Sequence, residues 1–137
     1  DGSIVVGVRC KSSMEGAWGE VYASEDGGLT WHKRSRINEH GDTVHLTLLE
    51  DGRIFAVYGY RIAAFGIRAK ISEDGGRTWG PELILRADGG NRDLGYPRAT
   101  EVAKNEILAT YYFNSKEDPI QMNGGGVRHI AGTILKV

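Results

Sequence analysis

The octapeptide SEDGGLTW at Ser24–Trp31 returns as SEDGGRTW at Ser72–Trp79, with seven of eight letters alike at a spacing of 48 residues. A copy of that length restricts the chain to folds built from repeated supersecondary units. The copied stretch extends beyond the octapeptide. Asp1-Gly2 precedes an apolar run ending in Arg9, Asp51-Gly52 precedes one ending in Arg61, and each is followed by a further run that closes in SEDGG. Asp followed by Gly accepts the positive φ angles of a tight hairpin turn, so each unit reads as turn, strand, strand and SEDGG turn. A weaker third echo follows, with Tyr96-Pro97 leading a strand, Lys104-Asn105 in the Asp-Gly place and EILATYYFN in place of RIFAVYGYR, but without an SxDxGxTW.

No segment longer than about ten residues carries apolar positions at helical spacing, whereas short β-branched and aromatic runs bounded by Gly, Asp and Asn occur throughout. The chain is expected to be all-β. Ten strands are predicted, near residues 3–9, 19–24, 31–37, 44–49, 53–60, 66–72, 82–86, 98–102, 106–113 and 128–136. Four short strands per unit at this period point to β-propeller blades of four-stranded antiparallel sheets. The units fall at approximately 1–40, 41–90 and 91–137: three strands, a complete four-stranded blade, then three more strands. DGSIVVGV opens as a turn already feeding a strand, so the expectation is a chain that begins in mid-fold. Its open first and last blades would expose strand edges, a route to self-association or to pairing with further blades.

Seventeen Lys and Arg against 18 Asp and Glu leave no block of one sign, so a nucleic-acid partner is not expected. Glycine, at 20 of 137 residues, is about twice the ordinary ~7% and fits many tight turns. Cys10 stands alone, which rules out an intrachain disulfide and leaves the redox compartment open. The apolar run from Ile4 to Val8 is far short of the ~18 residues of a membrane span, so neither a span nor a charged-then-apolar secretory leader is expected within this stretch.

Within SEDGG, the Asp carboxylate and the Ser hydroxyl accept backbone N–H groups of their own turn, Gly takes the positive φ, and the Trp that follows supplies a flat surface for packing. Ser24, Asp26, Gly28 and Trp31, with Ser72, Asp74, Gly76 and Trp79, therefore read as scaffold. An EF-hand-type calcium loop needs alternating oxygen ligands over twelve residues and a terminal Glu, which these turns lack. No metal or cofactor is expected, and no spacing among the four His residues and Cys10 matches a zinc site.

Such an octapeptide is an Asp-box. Two copies at blade spacing, followed in order by LGYPRATEV, EILATYYFN and RHIAGTILKV, resemble the carboxy-terminal part of the sialidase (neuraminidase) superfamily, the BNR/Asp-box repeat propellers, over nearly the whole chain. The resemblance implies a six-bladed propeller with Asp-boxes on the outer rim and an active site on the central face. It further implies an arginine cluster for the substrate carboxylate, a Tyr nucleophile activated by a Glu, and an Asp acid/base. Tyr96, leading the innermost strand of the last blade, matches the nucleophile. A phenol of ordinary pKa ~10 needs a carboxylate to take its proton. Asp93 and Glu101 are near it in sequence, and Asp93 joins the substrate-binding candidates. In the resembled family the partner Glu comes from an earlier blade, a position that falls before Asp1.

Arg9 matches the arginine two blades before the Tyr, while Arg61 and Arg68 compete for the remaining place in the adjacent blade. A guanidinium suits the role because its planar fork donates two parallel hydrogen bonds and keeps its charge. His45 leads the inner strand of the central blade and would point at the ring axis as a general base or sugar contact, or be satisfied by backbone groups. Tyr58, Tyr60, Tyr111 and Tyr112 would stack on sugars or pack within the sheets. The chain departs from the sialidase pattern, with Tyr96-Pro97 where Tyr-Ser is usual and Tyr111-Tyr112-Phe113 where a strand usually ends Tyr-Glu. The implied function is retaining hydrolysis of terminal sialic or other acidic sugars from glycans, in a secreted or periplasmic protein. The alternative is a non-catalytic glycan- or protein-binding propeller.

Overall fold

The computed structural model describes residues 2–122 and 125–137. Its strands are β1 (Ile4–Ser12), β2 (Gly16–Ser24), β3 (His32–Arg36), β4 (Asp42–Leu48), β5 (Ile54–Tyr60), β6 (Gly66–Ser72), β7 (Leu83–Arg86), β8 (Gly95–Ala103), β9 (Glu106–Phe113), β10 (Gln121–Met122), β11 (Gly125–Gly126) and β12 (His129–Lys136). They form antiparallel sheets in the orders β1-β2-β3, β4-β5-β6-β7 and β8-β9-β12, with β10-β11 as a small separate hairpin. Among the described residues no helix crosses or could cross a membrane by length and apolarity.

The register makes the repeat explicit. Ile4 pairs with Ser24 in the first sheet as Ile54 pairs with Ser72 in the second, so β1, β2 and β3 correspond to β5, β6 and β7. Asn105 and Gly52, both at positive φ, turn the chain into β9 and β5 respectively, so β8 and β9 correspond to β4 and β5. The three sheets are blades of a β-propeller.

The central blade is covered on both faces. Along β5 successive side chains point to opposite sides. Phe55 and Val57 enter a core with Ile67, Leu94, Ile107, Ala109, Tyr111 and Phe113, whereas Ala56 and Tyr58 enter a second core with Val21 and Ile37. The run IFAVY is thus continuously apolar because both of its faces are buried, each large side chain contributing about 1.5–3 kcal/mol.

The two SEDGG turns share an internal geometry. Asp26 accepts from Ser24 Oγ at 2.7 Å, Leu29 N at 3.0 Å, Thr30 N at 2.9 Å and Thr30 Oγ1 at 2.6 Å. Asp74 repeats this with Ser72 Oγ at 2.8 Å, Arg77 N at 2.9 Å, Thr78 N at 2.8 Å and Thr78 Oγ1 at 2.6 Å. These bonds pull both carboxyl groups well below the usual carboxylate range, the Thr hydroxyl contributing most. The second turn also joins two blades. Arg34 and Ser35 of β3 donate to the carbonyls of Gly75 at 2.9 Å and Gly76 at 2.6 Å, and Trp79 Nε1 donates to Ser35 Oγ at 3.0 Å. In the first turn, Trp31 Nε1 donates instead to its own Gly28 carbonyl, and the residue is 42% exposed.

Candidate functional site

Two inner strands begin in the same unusual way. Thr43 has φ 55° and Tyr96 has φ 46°, and the register is interrupted between Asp42 and His45 in β4 and between Gly95 and Arg98 in β8. Asp42 pairs with Gly59 as Gly95 pairs with Tyr112, so Thr43 and Tyr96 occupy equivalent places in successive blades. A left-handed residue beside a bulge bends the strand and re-aims its side chain. At Tyr96 the outcome is a large aromatic side chain that is 56% exposed although its neighbours Gly95 and Pro97 are buried. Gly95 itself has φ 118° and lies so close to Gly59 that a Cβ would meet the Gly59 Cα at 3.3 Å. This backbone approach brings the start of β8 within reach of the end of β5.

Around Tyr96 runs a chain of alternating charges. Arg9 Nη1 is 3.1 Å from Asp42 Oδ1, and Arg61 Nη1 donates to Asp42 Oδ2 at 3.0 Å. Arg61 also donates through Nε to the Leu94 carbonyl at 2.9 Å and through Nη2 to the Tyr112 hydroxyl at 3.3 Å. The Tyr112 hydroxyl donates to Asp93 Oδ1 at 2.8 Å, and Arg128 clamps Asp93 Oδ2 through Nε at 3.1 Å and Nη2 at 2.8 Å. The Tyr96 ring stacks on Tyr112 with centroids 5.9 Å apart, and the Arg61 guanidinium lies 5.3 Å from the Tyr96 centroid. Three guanidinium groups face two carboxylates, so one positive charge is uncompensated within the cluster.

The cluster sets its own protonation. Its bond from Tyr112 first, and Arg128 second, hold the Asp93 carboxyl below the usual range. Burial, and then the same bond to Asp93, push the Tyr112 phenol up to about 12. Tyr112 is therefore a neutral proton donor at physiological pH. Asp42 Oδ1 is buried and touches Arg9 without hydrogen-bond alignment, so it holds Arg9 by charge while Arg9 keeps its N–H groups for other acceptors. The Arg9 side chain is 44% exposed, against 16% for Arg61.

Of the residues singled out in the sequence, Arg9, Arg61, Asp93 and Tyr96 lie in this cluster. Arg68 lies elsewhere. It is 5% exposed, donates to the carbonyls of Ile67, Ala64 and Arg86, pairs with Glu82 at 3.5 Å and covers the Tyr60 ring. His45 is also apart. Its Nδ1 accepts the Ala99 N–H at 3.2 Å, while Thr47 Oγ1 donates to the Ala99 carbonyl at 2.9 Å. The two side chains cover the backbone edge of β8, and burial, aided by the nearby Arg98 charge, lowers the imidazole pKa. Ser24, Asp26, Gly28 and Trp31, like Ser72, Asp74, Gly76 and Trp79, are in the two SEDGG turns described above. Tyr58 is fully buried with its hydroxyl on Glu82 at 2.6 Å, and Tyr111 is buried in the core between the second and third blades.

Asp42, Tyr112 and Arg128 belong to the cluster without having been singled out as carboxylate, phenol and guanidinium partners. Asp42 was findable, because aligning Gly41-Asp42-Thr43 with Leu94-Gly95-Tyr96 places it beside the Tyr96 equivalent. Two hollows of about 790 and 490 Å3 lie beside the second SEDGG turn and away from this cluster. Among the described residues no three His, Cys, Asp or Glu side chains converge as metal ligands.

No protein-family model matches the sequence, and no curated protein matches it. Among solved structures the chain is similar to a protein of unknown function from Dyadobacter fermentans, with 38% identity over 99% of this chain and a TM-score of 0.77. The chain spans 35% of that protein's length. It is also similar to a PL25 ulvan lyase, a polysaccharide lyase, at 15% identity and a TM-score of 0.63 over 82% of this chain and 29% of the lyase. A third likeness is to the GH93 α-L-arabinofuranosidase of Fusarium graminearum, at 17% identity and a TM-score of 0.67 over 97% of this chain and 42% of that enzyme. At these identities the last two likenesses speak to the fold.

Proposed function

We propose that this chain contributes the arginine side of the central-face site of a glycan-active β-propeller that takes a terminal acidic sugar. The observation carrying the proposal is the pair Arg9 and Arg61, both held by Asp42 beside the exposed, left-handed Tyr96. Three of the five N–H donors of Arg61 are committed to Asp42, Leu94 and Tyr112, which fixes the plane of its guanidinium and leaves two free. Arg9 is less committed and more open. Together they offer a carboxylate a preset fork beside an aromatic face, at little cost in side-chain ordering. Carbohydrate action by the lyase and the arabinofuranosidase with a similar fold supports the glycan half of this reading.

The reaction implied by the sialidase resemblance is retaining hydrolysis with Tyr96 as nucleophile. In it the phenol oxygen attacks the anomeric carbon, the glycosidic oxygen leaves with a proton from an acid, and water then releases the sugar. The carboxylate that takes the Tyr96 proton and the acid/base Asp would come from other blades. The test is turnover and binding of a panel of fluorogenic sialosides and uronosides by the full-length protein. Tyr96→Phe is expected to abolish turnover while leaving binding of the free sugar, and Arg61→Met to weaken that binding at least tenfold. Turnover retained in Tyr96→Phe would sink the nucleophile assignment. A second reading, recognition without cleavage, is favoured by the immediate setting of Tyr96, where the contacts are Arg61 and Tyr112 and no carboxylate meets its hydroxyl among the described residues. Under it, wild-type protein binds the sugar without turnover and Tyr96→Phe keeps its affinity.

A further inference from the structure

A cavity of about 270 Å3 adjoins the cluster on the side of the first blade. It shares Asp42 and Arg61 with the cluster, and Lys11, His40 and Arg92 complete its polar wall. Each comes from a different element: Lys11 from β1, His40 from the turn before β4, Arg61 from the end of β5, and Arg92 from the loop before β8.

Most of the described arginines are paired. Arg9, Arg34, Arg36, Arg53, Arg61, Arg68, Arg86 and Arg128 each have a carboxylate within ion-pair distance. Lys11 and Arg92 have none among the described residues, as is also true of Arg77, Arg98, Lys70, Lys104, Lys116 and Lys136, but these two are exposed and line one hollow together. Asp42, the carboxylate in the wall, is already shared by Arg9 and Arg61. The cavity is therefore short of negative charge. The repeat places it there, because counting from Ile4 and Ile54 puts Lys11 in the first blade where Arg61 stands in the second. Gly16, Ala17, Gly41 and Ile62 complete the lining. The volume lies just under the ~300–1,000 Å3 of sites for whole drug-sized ligands, which suits one substituted sugar unit.

We propose that this cavity is a second subsite, which takes the anionic oxygens of the sugar unit next to the one held by Arg9 and Arg61, through Lys11 and Arg92. The inference rests on the central-face reading and makes the substrate a polyanionic glycan. The chemistry recognised is an anionic oxygen group, from either a uronic-acid carboxylate or a sulfate ester.

The test is calorimetric titration of the full-length protein with three probes: a monomeric uronic acid, a linear triuronate, and a sulfated galactan tetrasaccharide with no carboxylate. For wild type, the triuronate is expected to bind at least tenfold more tightly than the monomer. Lys11→Met/Arg92→Met should remove that gain, leave the monomer affinity within twofold, and reduce the salt dependence of triuronate binding. Arg61→Met should weaken monomer and trimer alike. Tetrasaccharide binding that is lost in the double variant, with no triuronate gain, would support the subsite with sulfate as its group. A double variant that keeps the affinity of every probe overturns the subsite. If Arg61→Met leaves monomer binding untouched while the double variant still loses the oligosaccharide, the central reading fails and the subsite stands. Matching thermal melting of variant and wild type is the check that the double variant folds.

Discussion

Ser35→Ala tests whether the second SEDGG turn holds two blades together or only shapes its own loop. The Ser35 hydroxyl donates to the Gly76 carbonyl at 2.6 Å and accepts Trp79 Nε1 at 3.0 Å, so one oxygen closes two bonds across the junction of the first and second blades. A net protein hydrogen bond contributes about 0.5–1.5 kcal/mol, which puts the loss near 2 kcal/mol, roughly a 30-fold fall in the ratio of folded to unfolded protein. With a urea m-value of about 1–3 kcal/mol per molar, the unfolding midpoint should fall by ~1 M without a change in slope. The first turn supplies the internal control. Trp31 Nε1 bonds only to Gly28 of its own turn, so Trp31→Phe should stay within ~0.5 kcal/mol of wild type, whereas Trp79→Phe should cost clearly more. Ser35→Ala combined with Trp79→Phe should be less damaging than the sum of the two, because both remove the same bond. The reasoning is refuted if Ser35→Ala moves the midpoint by less than ~0.3 M, or if the two Trp variants lose equal stability. The turn would then be a local staple whose chemistry ends at its own backbone.

Acid stability should pass through Asp93. Its folded pKa is depressed by Tyr112 and Arg128, so its contribution is present above the unfolded value of ~3.9 and lost as pH falls through the lower folded value. Asp93→Asn should be less stable than wild type at pH 6, and urea midpoints measured down to pH 2 should show the gap closing; a constant gap would contradict the linkage. Gly66→Ala should prevent folding, because its Cβ would lie 1.9 Å from the Arg86 carbonyl oxygen on the paired strand, well beyond ordinary overpacking of ~1–3 kcal/mol. Gly132→Ala, where the nearest atom is at 3.5 Å, should give soluble protein with near wild-type melting; equal yields of the two would overturn the argument.

The strands were legible because the sequence signals them locally. All ten predicted runs overlap observed strands, since turn residues and apolar alternation act within a few positions of each other. The β10-β11 hairpin was not, because two-residue strands carry no alternation to read. Arg61 and Arg68 could not be separated by pattern, since the register slips between Ile67 and Arg68 and alternation no longer gives the facing of Arg68. The contacts of Asp42 with Arg9, and of Tyr112 with Asp93, span 33 and 19 residues and cross from one element to another, so no local rule anticipates them.

What the repeat shares and what it varies separate scaffold from candidate chemistry. Both described inner strands start with a left-handed residue at a bulge, a conformation that costs a non-glycine residue of order 1–2 kcal/mol. That the second and third blades both retain it marks the conformation as a property of the propeller. The residues placed on it differ, however. In the second blade the position after the buried Asp42 carries Thr43, whose hydroxyl donates to the Asp42 carbonyl. In the third, Asp is excluded at the matching Gly95, which has φ 118° and faces the Gly59 backbone, and the following residue is the exposed Tyr96. The end of the second strand varies in the same way: Lys11, Arg61 and Asn114 occupy equivalent places in the three blades, and the first two border the anionic subsite proposed above. A scaffold that only needed to close a ring would gain nothing from a large aromatic ring held in a strained conformation and left open to solvent. The strain at Thr43 accompanies a local hydrogen bond, whereas the strain at Tyr96 accompanies an exposed phenol beside the Arg61 guanidinium, which is why Tyr96→Phe is the more informative substitution.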